Sequence, residues 1–235
     1  MKTYIRRREE NDQLVVLYGG WGTDENFFAP FCNDAFDFIL FYNYSADEAL
    51  VLPETKTYRK ITLIAWALGV WAAEYLFPKT GIVPHTAIAV NGTPIPANDK
   101  YGIPLKTFEG TLNNISEKNM DKFYFRMFGD KKTYQMNADR IPHRTVKSLQ
   151  DELRWLYNRM MEQNEPGFNW DYAVTSESDR VFPSENMNSY WKMQKTTRHI
   201  MVSLPHYLFP HWNSYTDFIR FVERHKRKSA PAVIL

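Results

Sequence analysis

Short apolar segments recur along the chain, and their composition predicts six buried β-strands. They are rich in β-branched and aromatic residues, and turn-forming residues or longer spacers separate them. Strands that are buried on both faces and alternate with longer segments are typical of a mostly parallel sheet covered by helices. The predicted strands are residues 14–18, 36–42, 61–65, 86–90, 170–175 and 199–204.

Helical spacing of apolar residues predicts the elements between the strands. In the strongest case, Val146, Leu149, Leu153, Leu156 and Met160 form one apolar stripe. Prolines and glycines interrupt any regular pattern from residue 94 to about residue 110. We therefore expect an α/β core of residues 1–99 and 166–235, with a helical insertion at 100–165. The predicted helices are residues 70–76, 116–129, 145–163, 184–194 and 215–227.

Composition excludes several classes of protein. The 235 residues are 44% hydrophobic and 24% charged, which is ordinary for a globular chain. No apolar run approaches the length of a membrane span, and the charged N-terminus lacks a signal core. A net charge of +2 gives no support for nucleic-acid binding. Cys32 is the single cysteine, which excludes an internal disulfide framework and a cysteine-clustered metal site and favours a cytoplasmic protein. We also expect no cofactor and no metal site.

Aromatic residues are unusually frequent, at 16% of the chain. They are consistent with two interpretations, the lining of an apolar ligand site and the filling of the core. Composition alone does not decide between them.

Glycines follow the first predicted strand, in the sequence Gly19-Gly20-Trp21-Gly22. Backbone amides exposed at such a turn can bind a phosphate or stabilise a developing oxyanion. The motif lacks the Gly-Lys-Ser/Thr ending of a phosphate loop and the spacing of a dinucleotide fold. An ordinary tight turn is the alternative.

A second motif joins the predicted strand at 61–65 directly to a helix. Small residues at Ala65, Ala67 and Gly69 match the small-x-Ser-x-Gly pattern of a nucleophile elbow, except that alanine occupies the serine position. Without a hydroxyl, Ala67 cannot attack a carbonyl carbon. A close-packed junction without chemistry is the alternative interpretation.

Two further residues complete the order of a hydrolase triad. Asp179 follows one late predicted strand and His206 follows the next, so the chain order is elbow, acid, histidine. In this arrangement Asp179 would orient the imidazole and His206 would act as base and then acid. Alternatively, Asp179 caps the next helix or pairs with Arg180, and His206 is a loop histidine.

These motifs resemble the BioG family of pimeloyl-[acyl-carrier-protein] methyl ester esterases, atypical α/β-hydrolases of biotin synthesis. The matching segments are spread over most of the chain and include LYGGWGTDENFF, IAWALGVWAA, AVNGTPIPANDKYGIP, FEGTLNNIS, KFYFRMFG, SESDRVFPSEN and LPHYLFPHW. The resemblance implies an α/β-hydrolase fold, an acid at Asp179 and a base at His206. It also implies oxyanion donors from the backbone amides of Trp21 and Leu68.

Ala67 is the one departure from the family pattern, because the resemblance implies serine there. Loss of a triad member leaves only about 10³–10⁴-fold catalysis over water, so we expect this chain to be inactive as an esterase. Either a serine was replaced deliberately, or the chain is a natural pseudoenzyme that binds an acyl chain or its carrier. The intact acid and histidine favour a deliberate replacement.

The resemblance also implies a substrate and a partner. The insertion at 100–165 would form a lid over an acyl pocket, with walls from Trp21, Trp66, Phe123 and Phe128. An acidic acyl carrier protein would dock on basic residues of this lid. The candidates are Arg140, Arg144, Arg154 and Arg159, although a solvated helix face would explain the same charges.

Overall fold

A seven-stranded sheet forms the centre of the fold. The computed structural model of the protein describes residues 1–45, 52, 57–162 and 166–225. The strand order is β1-β3-β2-β4-β5-β6-β7, in which β1 is antiparallel to β3 and every other neighbouring pair is parallel. The strands are β1 Lys2–Arg6, β2 Gln13–Tyr18, β3 Asp37–Tyr42, β4 Lys60–Trp66, β5 Thr86–Val90, β6 Tyr172–Ser176 and β7 Arg198–Val202.

All six predicted strands are present, with ends within two residues of those predicted. Strand β1 was not predicted. None of its five residues is fully buried, so its sequence lacks the apolar run that marks an interior strand. In contrast, all six residues of β3 are buried, as expected for a strand covered on both faces.

Helices cover the sheet, and four of them lie between β5 and β6. These four are α3 Leu105–Asn113, α4 Glu117–Phe128, α5 Lys131–Met136 and α6 Val146–Glu162. The other helices are α1 Glu25–Phe28, α2 Gly69–Leu76, α7 Ser184–Met193 and α8 Tyr215–Arg224. Residues 163–165 and 226–235, where two predicted helices and the predicted insertion end, are outside the described residues.

Helix α3 corrects the prediction of irregular backbone up to residue 110. Pro104 is the N-cap of this helix, and the Asp99 carboxylate accepts a hydrogen bond of 2.8 Å from the Leu105 amide. Proline is compatible with a helix start because it lacks the amide hydrogen that would be unpaired there. The same proline that interrupts the sequence pattern therefore marks where α3 begins.

Most of the aromatic excess belongs to the core. Phe27, Phe28, Trp66, Tyr207 and Phe209 are almost completely buried, and the rings of Phe27 and Tyr207 lie 4.4 Å apart. No helix in the described ranges is both long and apolar enough to cross a bilayer. Nor do the described residues include a group of three or more histidine, cysteine, aspartate or glutamate side chains placed to hold a metal ion.

Candidate active site

Ala67 lies at the sharp turn between β4 and α2. Its φ of 55° is in the left-handed region, which costs energy for any residue with a side chain. The Ala67 amide donates to the Val90 carbonyl at 2.9 Å, which fixes the turn against β5. A Cβ atom added to Gly92 would lie 2.2 Å from the Ala67 carbonyl oxygen, so only glycine at position 92 lets the loop after β5 pack this closely against Ala67. This strand–turn–helix junction has the geometry of a nucleophile elbow.

Asp179 and His206 meet in a buried pair. The Nδ1 of His206 lies 2.6 Å from Oδ2 of Asp179, and their side chains are 1% and 0% exposed. The other Asp179 oxygen accepts hydrogen bonds of 2.8 Å from the amides of Val181 and Phe182. Asp179 therefore has its partners without Arg180, which excludes the alternative in which it pairs with that arginine.

The second ring nitrogen of His206, Nε2, differs from Nδ1 in its hydrogen bonding. Nε2 is buried and has no hydrogen-bond partner among the described residues. His206 and Ala67 line the same cavity. Buried polar atoms are nearly always paired, so an unpaired atom facing a cavity is typical of a functional group. An imidazole with its Nδ1 bound to a carboxylate can accept or donate a proton at Nε2.

Trp66 and Asn91 hold the His206 backbone in place. Trp66 donates from Nε1 to the His206 carbonyl at 3.1 Å, and its ring centroid lies 4.7 Å from the imidazole. The side-chain Nδ2 of Asn91 donates to the same carbonyl at 2.7 Å. Asn91 follows β5 with a φ of 45°, another strained position at the carboxyl end of a strand. Sequence reasoning missed this role of Asn91, because no spacing marks it.

The cavity is mostly apolar. Its volume is about 100 Å³, and its buried walls include Trp21, Leu68, Phe123 and Leu153. Trp21 and Phe123 thus line the cavity with Ala67 and His206. Trp66 and Phe128 are not among the described residues that line this cavity, and their predicted role in substrate binding stays a prediction. Trp66 packs behind His206 instead, and Phe128 packs against Phe27, Tyr134 and Tyr207.

Three exposed residues mark the cavity mouth: Thr107, Arg126 and Arg180. Arg126 comes from the last turn of α4, and Arg180 follows Asp179 in the loop after β6. The lining residues of the cavity include no carboxylate. Sequence reasoning did not select either arginine as a site residue, because their common position depends on the packing of α4 beside the β6 loop.

The backbone amides of Trp21 and Leu68 have no hydrogen-bond acceptor among the described residues. Both residues line the cavity beside Ala67. Leu68 is the N-cap of α2, where backbone amides are available for an anion. Such unpaired amides can donate to an oxygen that develops negative charge.

A second buried pair lies between β5 and β6 in the chain and contacts the segments that follow β2 and β3. Glu152 of α6 and Arg144 form a salt bridge of 2.5 Å, with side chains 0% and 6% exposed. The Glu152 carboxylate also accepts from the amides of Gly22 and Tyr44, each at 3.1 Å. Burial raises the pKa of Glu152, and the Arg144 guanidinium and these hydrogen bonds oppose that rise.

This pair corrects the prediction that Arg144 docks a partner, because its guanidinium is buried and already bound. Sequence reasoning missed Glu152, although a signal was present. Glu152 lies on the apolar stripe of α6 between Leu149 and Leu156, where a charged residue needs a buried partner.

The other predicted docking arginines differ in their surroundings. Arg154 is exposed on α6 and has no salt-bridge partner among the described residues. Arg159 pairs with Glu162 at 2.6 Å, and Arg140 lies over the Phe31 ring at 4.9 Å. The prediction that these three residues bind a carrier protein stays a prediction.

The sheet order and the strand–turn–helix junction define an α/β-hydrolase fold, and solved structures agree. A bromoperoxidase from Bacillus anthracis matches with a TM-score of 0.61 at 14% identity, covering 93% of this chain and 92% of that one. Over residues 1–218 the sequence matches the family described as "Pimeloyl-ACP methyl esterase BioG", and the chain belongs to that family. The crystal structure of BioG from Haemophilus influenzae matches with a TM-score of 0.82 at 29% identity, covering 92% and 98% of the two chains.

Two sequence relatives extend this comparison. An uncharacterized protein of Haemophilus influenzae is 31% identical over 222 residues, which cover 88% of this chain and 96% of that protein. A malonyl-[acyl-carrier protein] O-methyltransferase of Bacteroides fragilis is 36% identical over 183 residues, or 77% of this chain. Those residues span only 36% of the methyltransferase, so its activity is that of a much longer protein.

Proposed function

We propose that this site is built to hydrolyse the methyl ester of a pimeloyl group carried by an acyl carrier protein, a step of biotin synthesis. The observation that carries the proposal is the buried Asp179–His206 pair, in which Nε2 has no partner among the described residues, beside a cavity lined by both His206 and Ala67. Membership of the BioG family supports the ester as substrate. The single cysteine supports a cytoplasmic setting.

The mechanism requires a serine where this chain has Ala67. His206 would accept the serine hydroxyl proton at Nε2 while the serine oxygen bonds to the ester carbonyl carbon. The amides of Trp21 and Leu68 would stabilise the oxyanion. The carbon–methoxy bond would then break, and His206 would give its proton to the leaving methanol. Water would finally attack the acyl-serine, losing a proton to His206 and regenerating the serine.

The insertion at 100–165 is proposed as the lid over the acyl chain. Phe108 of α3, Phe123 and Met127 of α4, and Leu153 of α6 line the cavity opposite the elbow. An apolar wall of this kind suits a methylene chain and excludes water from the ester.

The proposed partner is an acyl carrier protein with an acidic surface. Arg126 and Arg180 at the cavity mouth supply positive charge where a carried chain would enter, and Arg154 adds an exposed cation on α6. Such charges accelerate the encounter with an acidic partner, and added salt weakens this attraction by screening it.

The direct test is the variant Ala67→Ser, with pimeloyl-carrier methyl ester as substrate and released methanol as the measured product. We expect hydrolysis at least about 10³-fold above that of the unaltered chain. Adding His206→Ala should remove the gain, whereas His211→Ala, at an exposed histidine, should keep it. Failure of Ala67→Ser to release methanol would show that the proposed function is wrong.

A second function is favoured by Ala67 itself, namely binding of the acylated carrier without turnover. The unaltered chain would then bind the methyl ester and its carrier as a stable complex. A serine codon at position 67 of the encoding gene would show that Ala67 was introduced and would remove this alternative. An alanine codon, together with complex formation, would support it.

A further inference from the structure

Three contacts connect the inserted helices to the Gly20–Gly22 turn, which carries the Trp21 amide. The Trp21 indole donates from Nε1 to the Leu149 carbonyl of α6 at 2.8 Å. The Gly22 amide donates to Glu152 Oε2 at 3.1 Å, and the Gly22 carbonyl accepts from the Tyr124 hydroxyl of α4 at 2.8 Å. All three hydrogen bonds are buried.

The turn has one hydrogen bond of its own, from the Thr23 hydroxyl to the Gly20 carbonyl, and its other contacts come from outside. Gly22 has a φ of 77°, and neither strand pairing nor a helix fixes the turn. The Trp21 amide can stabilise an oxyanion only if its direction is fixed before the charge develops, because reorientation would cost part of the gain. The Trp21 amide belongs to the same peptide as the Gly20 carbonyl, which accepts from the Thr23 hydroxyl at 2.7 Å. Residues that hold Gly22 and Thr23 in place therefore also hold the direction of the Trp21 amide.

Glu152 is itself held by contacts from two other segments of the chain. Its Oε1 accepts from the Tyr44 amide after β3, and Arg144 binds its Oε2. Arg144 in turn donates to the Thr23 carbonyl at 3.2 Å and to Asn43 Oδ1 at 2.5 Å. Thr23 follows Gly22 directly, so the same network fixes the turn on both sides of Gly22.

We propose that Glu152 and Tyr124 are positioning residues for the Trp21 amide, with Arg144 holding Glu152. This inference rests on the proposed function, and it makes α4 and α6 a fixed part of the oxyanion site rather than a flap that opens. A rigid opening of these helices would break all three contacts. Substrate would therefore enter at the mouth beside Arg126 and Arg180, with the turn left intact.

The kinetic test compares mild variants in the Ala67→Ser protein. We expect Glu152→Gln to lower kcat by about tenfold, below the roughly 10²–10³-fold loss of a whole oxyanion donor, with KM little changed. Tyr124→Phe should lower kcat by about threefold to fivefold. The matched controls remove exposed contacts of the same kind: Glu162→Gln, which faces Arg159, and Tyr157→Phe, which faces Glu109. Losses of kcat equal to those of the controls would overturn the proposal.

A second readout uses the chain as it exists and needs no activity. Amide hydrogen exchange at Gly22 should accelerate in Glu152→Gln and Tyr124→Phe, and stay unchanged in the two controls. Unchanged exchange in the two test variants would overturn the positioning role, whatever the esterase assay shows. If Ala67→Ser is inactive but hydrogen exchange at Gly22 responds as expected, the proposed function is wrong, whereas the role of Glu152 and Tyr124 in holding the turn is supported.

Discussion

Two buried pairs of a carboxylate and a base lie near the same cavity, and they differ in one respect. Asp179–His206 and Glu152–Arg144 are both almost fully buried, with contacts of 2.6 Å and 2.5 Å. In the Glu152–Arg144 pair, both carboxylate oxygens and both terminal guanidinium nitrogens have partners. In the other pair, Nε2 of His206 has none among the described residues.

This difference separates architecture from chemistry. A buried network in which the polar atoms are bonded fixes one arrangement of the chain and offers nothing to a substrate. A buried pair with one nitrogen that has no hydrogen-bond partner, beside a cavity, leaves that nitrogen available to exchange a proton with a substrate. Both pairs are buried, so hydrogen-bond completeness is what identifies the candidate catalytic pair.

The largest expected effect on stability comes from breaking the complete pair. Glu152→Ala leaves the Arg144 cation buried without its carboxylate and removes the acceptor for two amides. We expect the free energy of unfolding to fall by about 3–5 kcal/mol, measured by urea denaturation.

Glu162→Ala on the same helix is the control, since its partner Arg159 is on the surface and Glu162 is mostly exposed. Its free energy of unfolding should change by less than about 1 kcal/mol. Equal losses in the two variants would contradict the distinction between a complete buried network and a surface ion pair.

A smaller effect is the contribution of Glu152 to the pH dependence of the free energy of unfolding. Burial raises the pKa of Glu152 above its usual 4.5, so between the two values the folded state binds more protons than the unfolded chain. The stability contributed by the protonated group is complete below pH 4.5 and is lost as pH rises through the raised pKa. Glu152→Gln should remove this part of the slope, at most about 1.4 kcal/mol per pH unit.

The measurement is urea unfolding of both proteins from about pH 4 to about pH 8. Other titrating groups, such as Asp24, are common to both proteins and cancel in the difference. Parallel curves would show that Glu152 titrates alike in the folded and unfolded chains, and that its burial has no electrostatic consequence.

Strands β2 to β7 and the chain order of the site could be predicted from the sequence. Continuous apolar runs mark the strands from β2 to β7, and loops at the carboxyl ends of neighbouring parallel strands meet at one edge. The meeting of Asp179 and His206 follows from this rule. Strand β1 could not be predicted, because it has no fully buried residue, whereas β7 at the other edge of the sheet has a buried Ile200.

Side-chain orientation could not be predicted in the same way. Trp66 and Trp21 are both tryptophans near the elbow, yet only Trp21 lines the cavity. Arg144 and Arg154 are both basic residues of the insertion, yet only Arg154 is exposed. In each case the orientation of the side chain depends on a buried partner elsewhere in the chain, the His206 carbonyl for Trp66 and the Glu152 carboxylate for Arg144.

The central claim is that His206 is an intact base beside position 67. The most direct test is the reaction of Ala67→Ser with a fluorophosphonate, followed by intact mass and peptide mapping. We predict stoichiometric labelling at the introduced serine, slower by at least about 10³-fold when His206→Ala is added, and no labelling of the unaltered chain. Absence of labelling in Ala67→Ser, or a rate that His206→Ala leaves unchanged, would contradict the account.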